Sequence, residues 1–207
     1  MAGFNETDHT ALFKKLATPI FETVSMFCCD KLRVFHLTRH MSLLNAINSL
    51  NIDEIVTKLS QIDATLKRIG IEHPRIALAA LNPHASDHGM FGDEERLFLE
   101  PAAAICQKTG MNVTGPVPAD SVFYQALNDR FDGVLSLYHD QGHIACKTYN
   151  YQKSVSATLG YAFMRTTVDH GTAYDIAGKG IADCENLYEA IRVGTVYWKL
   201  QNNRNTQ

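Results

Sequence analysis

Residues 51–81 read NIDEIVTKLSQIDATLKRIGIEHPRIALAAL. Ile52, Ile55, Val56, Leu59, Ile62, Leu66 and Ile69 recur at intervals of three and four, the period of a helix with one buried stripe, and Gly70 ends it. Four residues on, residues 75–81 form a short run that is wholly apolar after Arg75, the pattern of a strand covered on both faces. A helix followed at once by such a strand is the unit from which layered α/β domains are built.

The same alternation extends in both directions. Residues 23–29 and 32–38 are β-prone runs around Asp30-Lys31, which predicts a tight hairpin. Asp93-Glu94-Glu95 opens a helix with acid near its positive end, Pro101 predicts a kink or break within it, and Gly110 follows. A further helix is expected from Ala119-Asp120, a buried strand over residues 133–138, one or two strands over 155–168, and a last helix over about 185–200. The expected fold is therefore α/β, layered, with a mostly parallel sheet. No repeat or low-complexity linker divides residues 1–207.

Composition narrows the function. The 207 residues are 45% hydrophobic and 20% charged, so a packed core is expected and disorder is excluded. With 19 Lys+Arg against 22 Asp+Glu, the net charge of −3 gives no basic footprint for nucleic acid. No apolar run approaches the ~20 residues of a spanning helix, and the N-terminus lacks the pattern of a signal peptide. Five cysteines, at 28, 29, 106, 146 and 184, show no C-x-x-C pair. An odd count of this kind suits free thiols and a cytoplasmic setting, with Cys28-Cys29 as core packing. A small molecule or another protein is the expected partner.

Ligands of α/β sheets bind beyond the carboxyl ends of strands, and that rule sorts the nine histidines. His40, His84, His139 and His170 each follow an expected strand end, whereas His36 and His73 read as structural. Imidazoles gathered this way suit a divalent metal with three protein ligands and an open position. Lys147 and Arg165 are cations among the same loops. Arg165 lies in an apolar stretch where an unpaired charge would be costly, so it pairs either with a bound anion or within the protein. Neither a Walker A pattern nor G-x-G-x-x-G is present.

Several motifs, in order and at matching spacing, carry a resemblance: Leu81-Asn82-Pro83-His84-Ala85, Gly115-Pro116 with Pro118-Ala119-Asp120, Tyr138-His139-Asp140-Gln141-Gly142, Thr158-Leu159-Gly160, Phe163-Met164-Arg165-Thr166 and Asp169-His170-Gly171-Thr172-Ala173. The chain resembles the 4-hydroxythreonine-4-phosphate dehydrogenase (PdxA) family over about residues 2–196. The resemblance implies a fold like that of the isocitrate and isopropylmalate dehydrogenases. It also implies metal-ligating His40, His84 and His139, and substrate contacts from His9, Thr10, Lys147, Ser156 and Arg165. The segment His170, Gly171, Thr172, Ala173 and Asp175 corresponds to the adenine-side loop for NAD (or NADP). Lys147 or Asp140 would transfer protons. Members are homodimers in which the counterpart of His139 comes from the other subunit, and the metal would be Zn, Mg, Co or Mn.

The implied reaction is oxidation and decarboxylation of a phosphorylated hydroxy acid such as 4-phosphohydroxy-L-threonine, in pyridoxal phosphate biosynthesis. Ser156 stands where the family usually has Asn, and Ala11 where a Glu commonly follows the His-Thr pair. These differences, with the Ser86-Asp87-His88 loop, look closer to the branch oxidising D-threonate or D-erythronate 4-phosphate to dihydroxyacetone phosphate. The family's opening Gly-Asp-Pro-x-Gly-Ile-Gly-Pro-Glu segment is not in this sequence, so the expectation is an N-terminally truncated, C-terminal portion of such a dehydrogenase. Two rivals accompany that reading. One is a metal-dependent hydrolase or lyase working without a nicotinamide; the other is a remnant that dimerises and binds metal without turnover.

Overall fold

A computed structural model describes the backbone of residues 9–202 and the side chains of residues 12, 13 and 15–202. Among the described residues, seven strands form one sheet in the order β4-β3-β5-β2-β1-β6-β7. The strands are β1 (Val24–Cys29), β2 (Leu32–His36), β3 (Arg75–Ala79), β4 (Asn112–Val117), β5 (Gly133–Ser136), β6 (Val155–Leu159) and β7 (Arg165–Val168). The helices are α1 (His9–Leu16), α2 (Leu43–Asn48), α3 (Ile52–Arg68), α4 (Glu100–Lys108), α5 (Ala119–Leu127), α6 (His139–Asn150) and α7 (Glu185–Asn202).

The pairings β4–β3, β3–β5 and β5–β2 are parallel, while β2–β1, β1–β6 and β6–β7 are antiparallel. Followed across the sheet, β1 and β7 run against the other five strands. The layered α/β expectation with a mostly parallel sheet holds. The expected hairpin is β1–β2, turning at Asp30 in a left-handed conformation (φ 52°).

Side-chain alternation divides the core between two faces. Ile76 and Leu78 of β3 pack with Ile55, Leu59, Ile62 and Leu66 of α3 and with Ala102, Ala103 and Cys106 of α4; α7 adds Ala190, Val193 and Tyr197. Ala77 and Ala79 face the other way, against Val122 and Ala126 of α5 and Cys146 of α6. Helix α3 is built as its period predicts. The Asn51 side chain accepts the Glu54 N–H at 2.8 Å, Asp53 and Glu54 sit in the first turn, and Lys67 and Arg68 in the last. The kink expected near Pro101 is a π-helical turn over Glu95–Leu99 that passes into α4, where Pro101 needs no N–H partner. None of the described helices is long and apolar enough to cross a membrane.

Leu59 is fully buried between α3 and the sheet. Leu59→Ala is expected to lower unfolding free energy by about 3 kcal/mol, from lost transfer energy and a residual cavity, as measured by urea denaturation.

Candidate functional site

The carboxyl ends of β3, β5 and β2 lie on one edge of the sheet because the three strands are adjacent and parallel. His84, His139 and His40 follow those three ends within five residues. His170 also follows a strand end, but β7 runs the other way, so its loop belongs to the opposite edge. The four histidines grouped by strand ends are thus three and one.

His40 and His139 come together within this chain, with ring centroids 6.1 Å apart. They line a cavity of about 400 Å³ with Asp140, Tyr138 and the apolar side chains of Met41, Leu43 and Ile144. His139 opens α6, and its Nδ1 lies 2.6 Å from Asp140 Oδ1, a contact that fixes the imidazole's orientation. His84 stands apart on the turn after β3, exposed, 6.2 Å from the Phe91 ring. Among the described residues, no three His, Cys, Asp or Glu side chains of this chain are grouped to hold a metal. The donor chemistry suits a borderline divalent ion, but one chain does not close the shell.

Helix α6 places His139, His143 and Lys147 at four-residue intervals on one side. His143 and His36, both 5% exposed, lie behind His139. The His139 and His143 rings stack at 3.9 Å, 8° from parallel. His143 Nε2 faces Asp169 Oδ1 at 3.5 Å, and its Nδ1 faces His36 Nε2 at 3.1 Å. With the Nε2 proton of His143 directed at the carboxylate, its Nδ1 accepts from His36 Nε2–H, which also reaches the His139 carbonyl at 3.1 Å. The buried His36 Nδ1, without a partner, is then a lone pair rather than a stranded N–H. Burial, reinforced by His143 and His139, pushes His36 down to about 2, so it stays neutral.

Two turns beyond His139, about 12 Å along the axis, Lys147 Nζ lies 3.7 Å from Asp169 Oδ2, to which the Ser154 hydroxyl donates at 2.8 Å. Burial works to raise Asp169, but the hydrogen bonds from His143 and Ser154 hold it below the usual carboxylate range. On β6, Val155, Ala157 and Leu159 enter the α3-side core, so Ser156 and Thr158 point to the α6 face. The register places Arg165 opposite Thr158 and Thr167 opposite Ser156. Arg165 Nη1 donates to Thr158 Oγ1 at 3.4 Å, and its guanidinium carbon lies 5.2 Å from the Phe13 ring centroid. Lys147 thus lies on the helix covering the sheet face to which Ser156 and Arg165 belong. His9 and Thr10 begin α1, but their side chains lie outside the described residues.

At the opposite edge, His170, Gly171 and Ala173 line a cavity of about 470 Å³ with Tyr151, Ile176, Asp183 and Asn186. Ala173 has left-handed angles (φ 49°), and Thr172 and Asp175 are exposed beside it. The residues missed by sequence reasoning are His143 and Asp169, whereas His36 is structural as expected, buried at the end of β2. The spacing 139-143-147 would have found His143 had α6 been read as a helix.

A family model described as "Pyridoxal phosphate biosynthetic protein PdxA" matches residues 1–194. Two relatives are named "Putative D-threonate 4-phosphate dehydrogenase". That of Symbiobacterium thermophilum is 50% identical over 189 residues, 91% of this chain and 56% of the relative. That of Halalkalibacterium halodurans is 46% identical over the same shares. A solved 4-hydroxythreonine-4-phosphate dehydrogenase from Klebsiella pneumoniae superposes with a TM-score of 0.84 at 39% identity, covering 95% of this chain and 60% of that one. The chain spans a little over half the length of these relatives.

Because His36 is held neutral when folded and titrates near 6.5 when unfolded, acid favours the unfolded state as pH falls below 6.5. From pH 7.5 to pH 5, His36 is expected to cost about 2 kcal/mol of stability. The difference in urea-unfolding free energy between the wild type and His36→Phe, followed over that range, measures it.

Proposed function

The chain belongs to the PdxA family, and from that footing we propose that it serves in divalent-metal- and NAD-dependent oxidation and decarboxylation of a four-carbon phosphorylated hydroxy acid. The observation that carries this reading is the alignment of His84, His139 and His40 beyond three adjacent parallel strands. D-Threonate 4-phosphate is the first candidate substrate, following the names of the two relatives. 4-Phosphohydroxy-L-threonine is the second, following the solved structure.

The three histidines are proposed to meet across two copies of the chain, one supplying His40 and His84 and the other His139, as the family resemblance implies. When bound, the metal supplies Lewis acidity and the dinucleotide a hydride acceptor. Lys147 and Arg165 hold the carboxylate or phosphate by charge-assisted hydrogen bonds, and Ser156 adds a short hydroxyl contact. Asp140 orients His139. Asp140 and Lys147 are the two groups able to exchange a proton with the substrate. The substrate alcohol loses a hydride and a proton, and the resulting β-keto acid releases carbon dioxide. The cavity at His170, Gly171, Thr172, Ala173 and Asp175 is the proposed seat of the dinucleotide's adenine side. Five unpaired thiols suit a cytoplasmic setting.

NADH formation is followed with each acid and Co2+ or Mn2+, using this chain and a version extended to the relatives' full length. Metal-dependent turnover is expected, with Lys147→Ala lowering kcat/KM at least about 100-fold. If Lys147 carries the proton, the pH profile of kcat loses a limb in Lys147→Ala; if Asp140 does, Asp140→Asn loses it instead. Metal bound by this chain without NADH formation, with turnover restored in the extended version, supports the remnant. Metal-dependent turnover without a nicotinamide supports the hydrolase or lyase.

A further inference from the structure

Five consecutive residues, His84, Ala85, Ser86, Asp87 and His88, hold left-handed backbone angles, with φ of 53°, 54°, 71°, 44° and 59°. None is glycine. L-residues avoid this region because Cβ crowds the following carbonyl. A run of five persists only where the surroundings determine it, and such strain collects at ligand-holding sites.

The surroundings converge on Glu95. Its carboxylate is buried, the residue being 1% exposed. Oε1 accepts the Leu81 N–H at 2.8 Å and the Asn82 N–H at 2.7 Å, and Oε2 accepts the Asn82 side-chain amide at 2.7 Å. Glu94 Oε2 takes the same amide at 2.8 Å. The buried Ser86 hydroxyl donates to the Gly92 carbonyl. Gly92 holds φ 143°, a conformation that favours glycine, and a Cβ there would crowd Glu94 Oε2 at 2.5 Å and the Asn82 amide nitrogen at 2.7 Å. Glu95 also begins the π-helical turn, an irregularity frequent at functional sites. The turn so anchored adds no large side chain to the core: His84, His88 and Met90 are all exposed.

We infer that Glu95 is a positioning residue. Its buried carboxylate clamps the end of β3 at Leu81 and Asn82, fixes the left-handed turn, and sets the direction in which His84 is presented. A burial of charge this complete, spent on an exposed imidazole, fits a ligand that must be pre-aimed at an ion shared with a second copy. The inference rests on the reading of His84 as a ligand, and its test separates the two.

Amide hydrogen exchange is measured on the full chain at Ala85, Gly89, Met90 and Phe91. These N–H groups bond within the turn and do not touch Glu95. Glu95→Ala is expected to speed their exchange at least about tenfold, while Ile76, Ala77 and Leu78 of β3 keep wild-type protection. Glu95→Gln should recover most of the protection, since one amide oxygen can still serve both backbone N–H groups. Should Glu95→Ala not fold, Asn82→Ala is read at the same amides, with a smaller increase. Unchanged exchange at the turn, an equal loss in β3, or no rescue by Gln overturns the inference. Co2+ titration followed by absorption gives the second reading. Glu95→Ala should weaken binding roughly 10- to 100-fold, as loss of an outer partner does, with Glu95→Gln between. If the wild type binds Co2+ no better than His84→Ala, the ligand reading fails, and the exchange data alone decide the clamp.

Discussion

Helix α6 lies on the sheet at a point where no side chain fits. A Cβ at Gly142 would stand 2.5 Å from His36 Nε2, 2.6 Å from Val34 Cγ1 and 2.8 Å from Ser136 Oγ. Only a hydrogen lets the helix approach β2 and β5 this closely, and the rest of the candidate site follows from that approach. It seats His143 and Cys146 in the interior, brings His139 over the shared strand edge, and carries Lys147 to Asp169 near the other edge. The buried polar groups behind His139 are tolerable because nearly all find partners there. Helix α6 thereby becomes a strut between two chemistries, one at each end of the sheet.

Much of this was legible in the sequence, for reasons that can be named. Helix α3 has a strong three-and-four period with a cap at each end, and the hairpin has two β-prone runs around a turn pair. Strand β3 is apolar on both faces, and Pro101 marks the irregular turn before α4. Helix α6 was not seen, because the segment His139–Asn150 is polar, holds Gly142, and hides its buried side under histidines rather than aliphatic residues. Strand β4 was missed because Gly115 and Pro116 argue against a strand, and helices α1 and α2 because they are short.

The site divides in the same way. His40, His84 and His139 could be picked from strand ends alone, since parallel neighbours share an edge. His170 could not be separated from them without the direction of β7, which only tertiary pairing reveals. Asp169 and His143 needed the contact between α6 and the β7 end, 26 residues apart in sequence. A family resemblance supplies ligand lists, but it does not supply the hydrogen-bonded packing behind them.

The thiols have a further consequence. Cys28, Cys29, Cys106 and Cys146 are all buried, and burial raises each; Cys28 and Cys29 reach about 12. A thiol titrating near 12 is thiolate at neutral pH in only about one molecule in a hundred thousand, and the thiolate is the reactive form. Cys184 is exposed and adjoins Asp183, a wall of the 470 Å³ cavity. Nature has in effect left one addressable handle beside the proposed dinucleotide seat. A dye or spin label attached there without any engineered cysteine would sit within reach of whatever fills that cavity, and would report its arrival optically or magnetically.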